Sequence, residues 1–257
     1  MRNTHNTIIL RRTTTVNSPL KGNKSLFKKF KRLLPLLLLT FYIVPAVGSD
    51  KYQFEYFESQ LGYFKQLTLG QYANNNDKRI IKWVNDINIF VKGDMPTVLS
   101  DELDSIIAEL NHIVSGIQLT RVTSEEQANY TVFFGSAESY QKFDPNISRN
   151  ILERAGAMIV YPNSDYELVG GSMYMDIDRY KGDIKRKHVL RKLLSQSLGI
   201  PFESPKYVDS IFAKYPFAQI VIRYSNFDKT IITKLYDKCV KAGMDKFEVD
   251  HALVNGC

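Results

Sequence analysis

His188-Val-Leu-Arg-Lys-Leu-Leu-Ser-Gln-Ser-Leu-Gly-Ile-Pro201 is the stretch whose reading decides the fold. Ile184, Val189, Leu190, Leu193, Leu194 and Leu198 fall on one face at helical spacing. Asp183 stands where an N-cap belongs, and Gly199 with Pro201 beyond it stops the helix. The helix runs into an ordered loop, Phe202-Glu-Ser204 followed by Val208-Asp-Ser-Ile-Phe212.

Beyond the loop come the apolar Ala218–Ile222, a helix from about Phe227 to Lys241, a break at Gly243 and a terminal helix from Asp245 to Val254. Upstream, Ala157–Tyr161 and Gly171–Ile177 read as strands joined by the turn Pro162-Asn-Ser-Asp165. Asn129–Phe134 is β-branched and aromatic, a strand, and Ser136–Phe143 caps and forms a brief helix. Ser100 reads as the N-cap of an amphipathic helix carrying Leu103, Ile106, Ile107 and Leu110 and ending at Gly116, with a short strand at Ile117–Val122. Ile80 to Val91 suggests two short strands, or one bent strand, around Asn85-Asp86. The aromatic-rich lead-in 49–77 reads as irregular. The fold class is α+β, helices packed on a small mixed sheet, within a domain over 78–257.

The first 48 residues hold nine basic and no acidic side chains, and Leu33–Val47 is nearly all apolar before Ala46-Val47-Gly48. That is the pattern of a secretory signal cleaved after Gly48, so the protein reads as exported, periplasmic or secreted. An uncleaved anchor is the alternative, although the run is short of a spanning helix and holds Pro35 and Pro45. Membrane contact is expected only through 33–47. Without the leader the chain has 25 basic and 27 acidic residues, so its net charge is −2, not +7. The basic pI therefore gives no reason to expect nucleic-acid binding. Cys239 and Cys257 allow a disulfide in an oxidising compartment, or two free thiols.

Ser195-Gln196-Ser197-Leu198-Gly199-Ile200-Pro201, Glu203-Ser204, Asp209-Ser210-Ile211-Phe212, Asp228, Leu235-Tyr236 and Gly243-Met244 resemble the bacterial family of exported proteins known as the domain of unknown function DUF2927. The resemblance covers residues 78–245. It implies a zincin-like core, related to zinc-dependent peptidases, with the 188–199 helix in the place of an HExxH helix. On that mapping the HExxH positions are Lys192, Leu193 and Gln196. Two imidazoles one turn apart and an intervening glutamate are needed for zinc hydrolysis; an ammonium, an isobutyl group and an amide supply none of that chemistry. The helix reads as catalytically degenerate, with no cofactor and no metal.

No other pattern replaces it. His112, His188 and His251 share no ligand spacing, and Ser195 lies about two helical turns from His188. Glu203, Asp209, Asp176 and Asp178 are the carboxylates nearest the expected cleft, and Asp176 and Asp178 share a strand face with Tyr174. Lys181, Lys185, Arg186, Lys187, Arg191 and Lys192 read as a basic, solvated face. The reading is a non-enzymatic envelope or secreted domain whose cleft, around Gln196, Glu203 and Ser210, binds a peptide, envelope component or protein partner. The alternatives are a hydrolase using Glu203 or Asp209 as base, and an assembly role for the aromatic segment 52–72.

Overall fold

The computed structural model describes residues 49–70, 78–145, 147, 151 and 153–257, with side chains from Glu58 onward. The leader and the 71–77 segment lie outside the described residues, so the signal-sequence reading stays an expectation. Asp50–Cys257 form one unit.

The sheet is built on strands with no choice but the interior. Tyr130–Phe134 (β4) is buried at every position, as a central strand covered on both faces must be. It lies between Ile87–Gly93 (β2) and Glu167–Met175 (β6), parallel to both. Leu119–Arg121 (β3) extends β2 and the short Lys82–Trp83 (β1) joins β6, again in parallel. Gly156–Pro162 (β5) is the antiparallel member of this six-stranded sheet and pairs with β6. The mixed sheet and the α+β class are those expected.

Period-2 alternation sorts the side chains of β4 and β6 between two layers. Tyr130, Val132, Phe134, Met173 and Met175 join the main core with Thr97–Ile113 (α2) and Asp183–Gln196 (α4). Phe133 and Tyr174 face the other way onto Ala137–Phe143 (α3). Asn226–Leu235 (α5) and Lys246–Asn255 (α6) both start with a reciprocal capping box, Ser225/Asp228 and Asp245/Glu248. Cys239 and Cys257 are joined as a disulfide across the end of α6.

Four expectations change. The lead-in is not irregular: Ser49–Thr68 is a helix (α1), and it places Leu61, Tyr63, Phe64 and Leu67 in the core. The register of its aromatics on a helix becomes legible only with the partner loop in place, where Tyr63 packs on Tyr207 and bonds Ser210. Ser100 is not an N-cap, since α2 begins a turn earlier, after Pro96; proline fixes its own φ and suits the position before a helix start. Asp183 is the first residue of α4 and Gly182 precedes it as cap, while Ile184 is exposed. The helix read over Phe227–Lys241 ends at Leu235. There the buried Lys82 ammonium takes the carbonyls of Leu235 and Val240 at 2.7 and 2.8 Å and breaks the chain into turns. Burial pushes this lysine down to about 8.

Candidate functional site

The Ser195–Pro201 motif is a helix ending that has to be completed inside the core. A helix leaves its last carbonyls without partners, and burial makes each of them costly. Ser197 Oγ donates to Leu194 O at 2.6 Å, Trp83 Nε1 to Ser197 O at 2.9 Å, and Tyr236 OH to Leu198 O at 3.0 Å. The Gly199 and Ile200 amides both turn back onto Gln196 O. Gly199 has φ +107°, and a Cβ there would sit 2.1 Å from Ile81 O, so the chain approaches β1 closer than any side chain allows.

The second part of the motif fastens the following loop. Ser204 lies in a parallel bridge with Ala213, and its hydroxyl donates to Gln66 of α1 at 2.9 Å. Tyr63 OH donates to Ser210 Oγ at 2.9 Å, and the Ser210 hydroxyl in turn donates to Asp228 Oδ1 at 2.5 Å. Asp228 also accepts from the Ile211 and Ser225 amides. Burial raises the Asp228 carboxyl above its ordinary value, against the pull of these donors. Gly243 and Met244 exchange backbone hydrogen bonds with Ile80.

The structure therefore brings the expected site residues into contact with one framework, but it does not open a cleft among them. Ser195, Ser204, Ser210 and Phe212 are 0–1% exposed and Gln196 is 6% exposed. Serine and glutamine in a loop-facing motif suggest an accessible site; here the hydroxyls of Ser197, Ser204 and Ser210 are spent on buried partners, and Gln196 is buried with its backbone carbonyl accepting from Gly199 and Ile200. Of the carboxylates, Glu203 is held by Lys192 at 2.7 Å, Asp209 is exposed, and Asp176 caps the 3-10 turn Ile177–Arg179. β6 ends at Met175, so Asp176 and Asp178 share no strand face with Tyr174, which is buried.

The basic face on α4 also needs correction. Arg191 is 1% exposed and donates to Glu109 at 2.8 and 3.1 Å and to Glu102 at 2.9 Å, both on α2. Its guanidinium lies over Tyr224, 4.7 Å from the ring centre. Lys187 reaches Glu102 at 3.3 Å, and Lys192 also donates to Ala213 O at 2.9 Å. Glu102 and Glu109 were the missed partners. Their spacing puts them two turns apart on one face of α2, the available sign that they serve a common cation.

Lys192, Leu193 and Gln196 do not fit a zinc ion. The ammonium is committed to Glu203 and Ala213, and Leu193 packs in the core. Among the described residues no three His, Cys, Asp or Glu side chains converge as a metal-holding group. Two depressions, of about 480 and 300 Å3, lie elsewhere, between α5 and α6 and beside Asp144, Tyr161 and Ser172.

His188 joins α4 to the loop rather than to Ser195. Its Nδ1 is 3.1 Å from the Val221 amide and 2.8 Å from the Val221 carbonyl oxygen, whereas Ser195 binds Arg191 O and Tyr224 OH. Burial holds the imidazole below its ordinary value; the Val221 carbonyl and the Glu203 carboxylate oppose this, and the Lys192 ammonium adds to it. The unfolded chain takes up the proton first, so stability is present above a pH of about 6.5 and is lost as pH falls through the lower folded value. Urea midpoints for His188→Gln should fall less than those of the unaltered chain between about pH 7 and 5. Parallel profiles would show that His188 does not carry the dependence.

An α+β domain whose most distinctive motif is internal framework is the class that this fold and site define. The chain belongs to the DUF2927 family, described as a protein of unknown function, whose model matches residues 59–255. The match starts inside α1, consistent with that helix being part of the core. Two structures of myroilysin are similar to it: one at TM-score 0.40 and 14% identity, over 61% of this chain and 86% of that one. The other has TM-score 0.37 and 13% identity, over 62% and 98%. No residue role is taken from so slight a likeness. No curated protein matches the chain.

Proposed function

We propose that this protein is an exported, non-catalytic binding domain that receives an extended peptide segment of an envelope or secreted partner along the open edge of β5. The non-catalytic part rests on Lys192, held by Glu203 and Ala213, on Leu193 in the core and on the burial of Gln196. The binding part rests on β5. Among the described residues it pairs with β6 alone, and Gly156-Ala-Met-Ile-Val-Tyr-Pro162 carries no charge. Long uncharged edges are usually blunted or covered, because their free amides and carbonyls pair with any extended chain.

The register identifies the free groups. Gly171 N–H donates to Asn129 O and Met175 O accepts from Gly135, so both residues turn their backbone toward β4. Their partners across β5, Val160 and Gly156, therefore turn theirs outward, and so does Met158 between them. A peptide adding there gains main-chain hydrogen bonds in the β-augmentation mode.

Val160→Pro tests this, since it removes an outward amide and no bond to β6. Peptides selected from a displayed library against Asp50–Cys257 should slow hydrogen exchange at Met158 and Val160. They should bind Val160→Pro at least about tenfold more weakly. Selected peptides that bind the variant equally well and leave those amides unprotected would refute the β5 edge as the site.

A further inference from the structure

Five of the eleven exposed large apolar residues among those described fall between Val208 and Ile222. Tyr215 is 74% exposed, Phe217 61%, Ile220 55%, Val208 40% and Ile222 37%. This loop is not loose. Lys214 N–H binds Ser204 O, Gln219 N–H binds Val208 O at 2.8 Å, and Val221 is held by His188. Val221 packs against the core, and alternation along the extended run turns its neighbours Ile220 and Ile222 outward. The apolar side chains are thus presented by a fixed backbone.

Charge supplies the second observation. From Pro205 to Arg223 the loop carries Lys206, Lys214 and Arg223 against Asp209 alone, whereas the chain from residue 49 onward is net acidic. Aromatic and aliphatic tips with basic flanks match the two layers of a lipid surface, rings and alkyl groups at the acyl boundary and cations at the headgroups. At the loop's base Ser59 of α1 binds Tyr207 and Lys206. Only residues 48–58 separate Ser59 from the apolar run Leu33–Val47.

We propose that the Val208–Ile222 loop docks on an anionic lipid bilayer, inserting Tyr215, Phe217 and Ile220 with Lys206, Lys214 and Arg223 at the headgroups. The site is separate from the β5 edge and does not depend on it.

The test uses the Asp50–Cys257 unit, which holds both hydrophobic clusters and so its own core, and lacks the apolar leader. Cosedimentation with phosphatidylglycerol vesicles should be saturable and weaken as salt is raised; phosphatidylcholine vesicles should bind poorly. A Tyr215→Ser, Phe217→Ser, Ile220→Ser variant should bind at least about tenfold more weakly at an unchanged thermal midpoint, because each lost side chain forfeits burial in the bilayer. Val160→Pro should bind vesicles normally, which separates this outcome from that of the β5 reading. Absent vesicle binding, or binding that the triple variant retains, overturns the proposal. So does self-association of the unaltered unit that the triple variant abolishes, since a second copy would then be what covers the loop.

Discussion

Arg191→Ala should lower the unfolding free energy of the Asp50–Cys257 unit by about 3–5 kcal/mol, read from urea titration. The guanidinium is nearly inaccessible and links α4 to α2 through Glu102 and Glu109. Removing it strands the Glu102 carboxylate, 8% exposed, with Lys187 at 3.3 Å as its remaining cation. Glu109 is more open and can turn to water, so most of the loss belongs to Glu102. Replacing both charges by apolar groups of similar volume is far less costly than stranding one. Arg191→Met with Glu102→Leu should therefore be more stable than Arg191→Ala alone. A loss under about 1 kcal/mol for Arg191→Ala would mean that the network adds little and that α4 is not anchored by it.

Gly199→Ala has the second large effect, about 2–6 kcal/mol. A non-glycine residue at φ +107° costs about 1–3 kcal/mol in strain. Moving the Ile81 carbonyl, 2.1 Å from the new Cβ, costs about as much again. Gly116→Ala separates the two terms: its φ is +82°, but a Cβ there meets nothing within 4 Å. It should show the strain alone. Equal losses for the two variants would contradict the close approach of α4's end to β1.

Much of this fold could be read in the sequence where local chemistry acts alone. β2, β4 and α3 follow from apolar, β-branched and aromatic runs and a serine cap, and Gly199 marks a helix end whatever lies beyond it. The misreadings share a physical cause. Arg191 looks like one more surface cation until α2 brings Glu102 and Glu109 against it. Tyr63, Ser210 and Asp228 are far apart in the chain, and a hydrogen-bonded relay among them is legible only after α1, the loop and α5 have packed. The cleft expected around Gln196, Glu203 and Ser210 failed for the same reason. Polar residues in a motif signal either a ligand or a buried backbone in need of partners, and here Ser197, Ser204 and Ser210 answer the second need. The β5 edge was invisible because strand composition does not tell how many neighbours a strand will have.

α4 serves as internal framework, and Lys192, Leu193 and Gln196 on it do not hold a metal ion. Metal content of the purified Asp50–Cys257 unit tests it most directly, by mass spectrometry before and after zinc loading and dialysis. The account predicts a zinc stoichiometry near zero in both samples, because Lys192 is held by Glu203 and Ala213, Leu193 is in the core, and neither they nor Gln196 supplies a strong ligand. One zinc retained per chain after dialysis would contradict it and make a hydrolytic function the first reading.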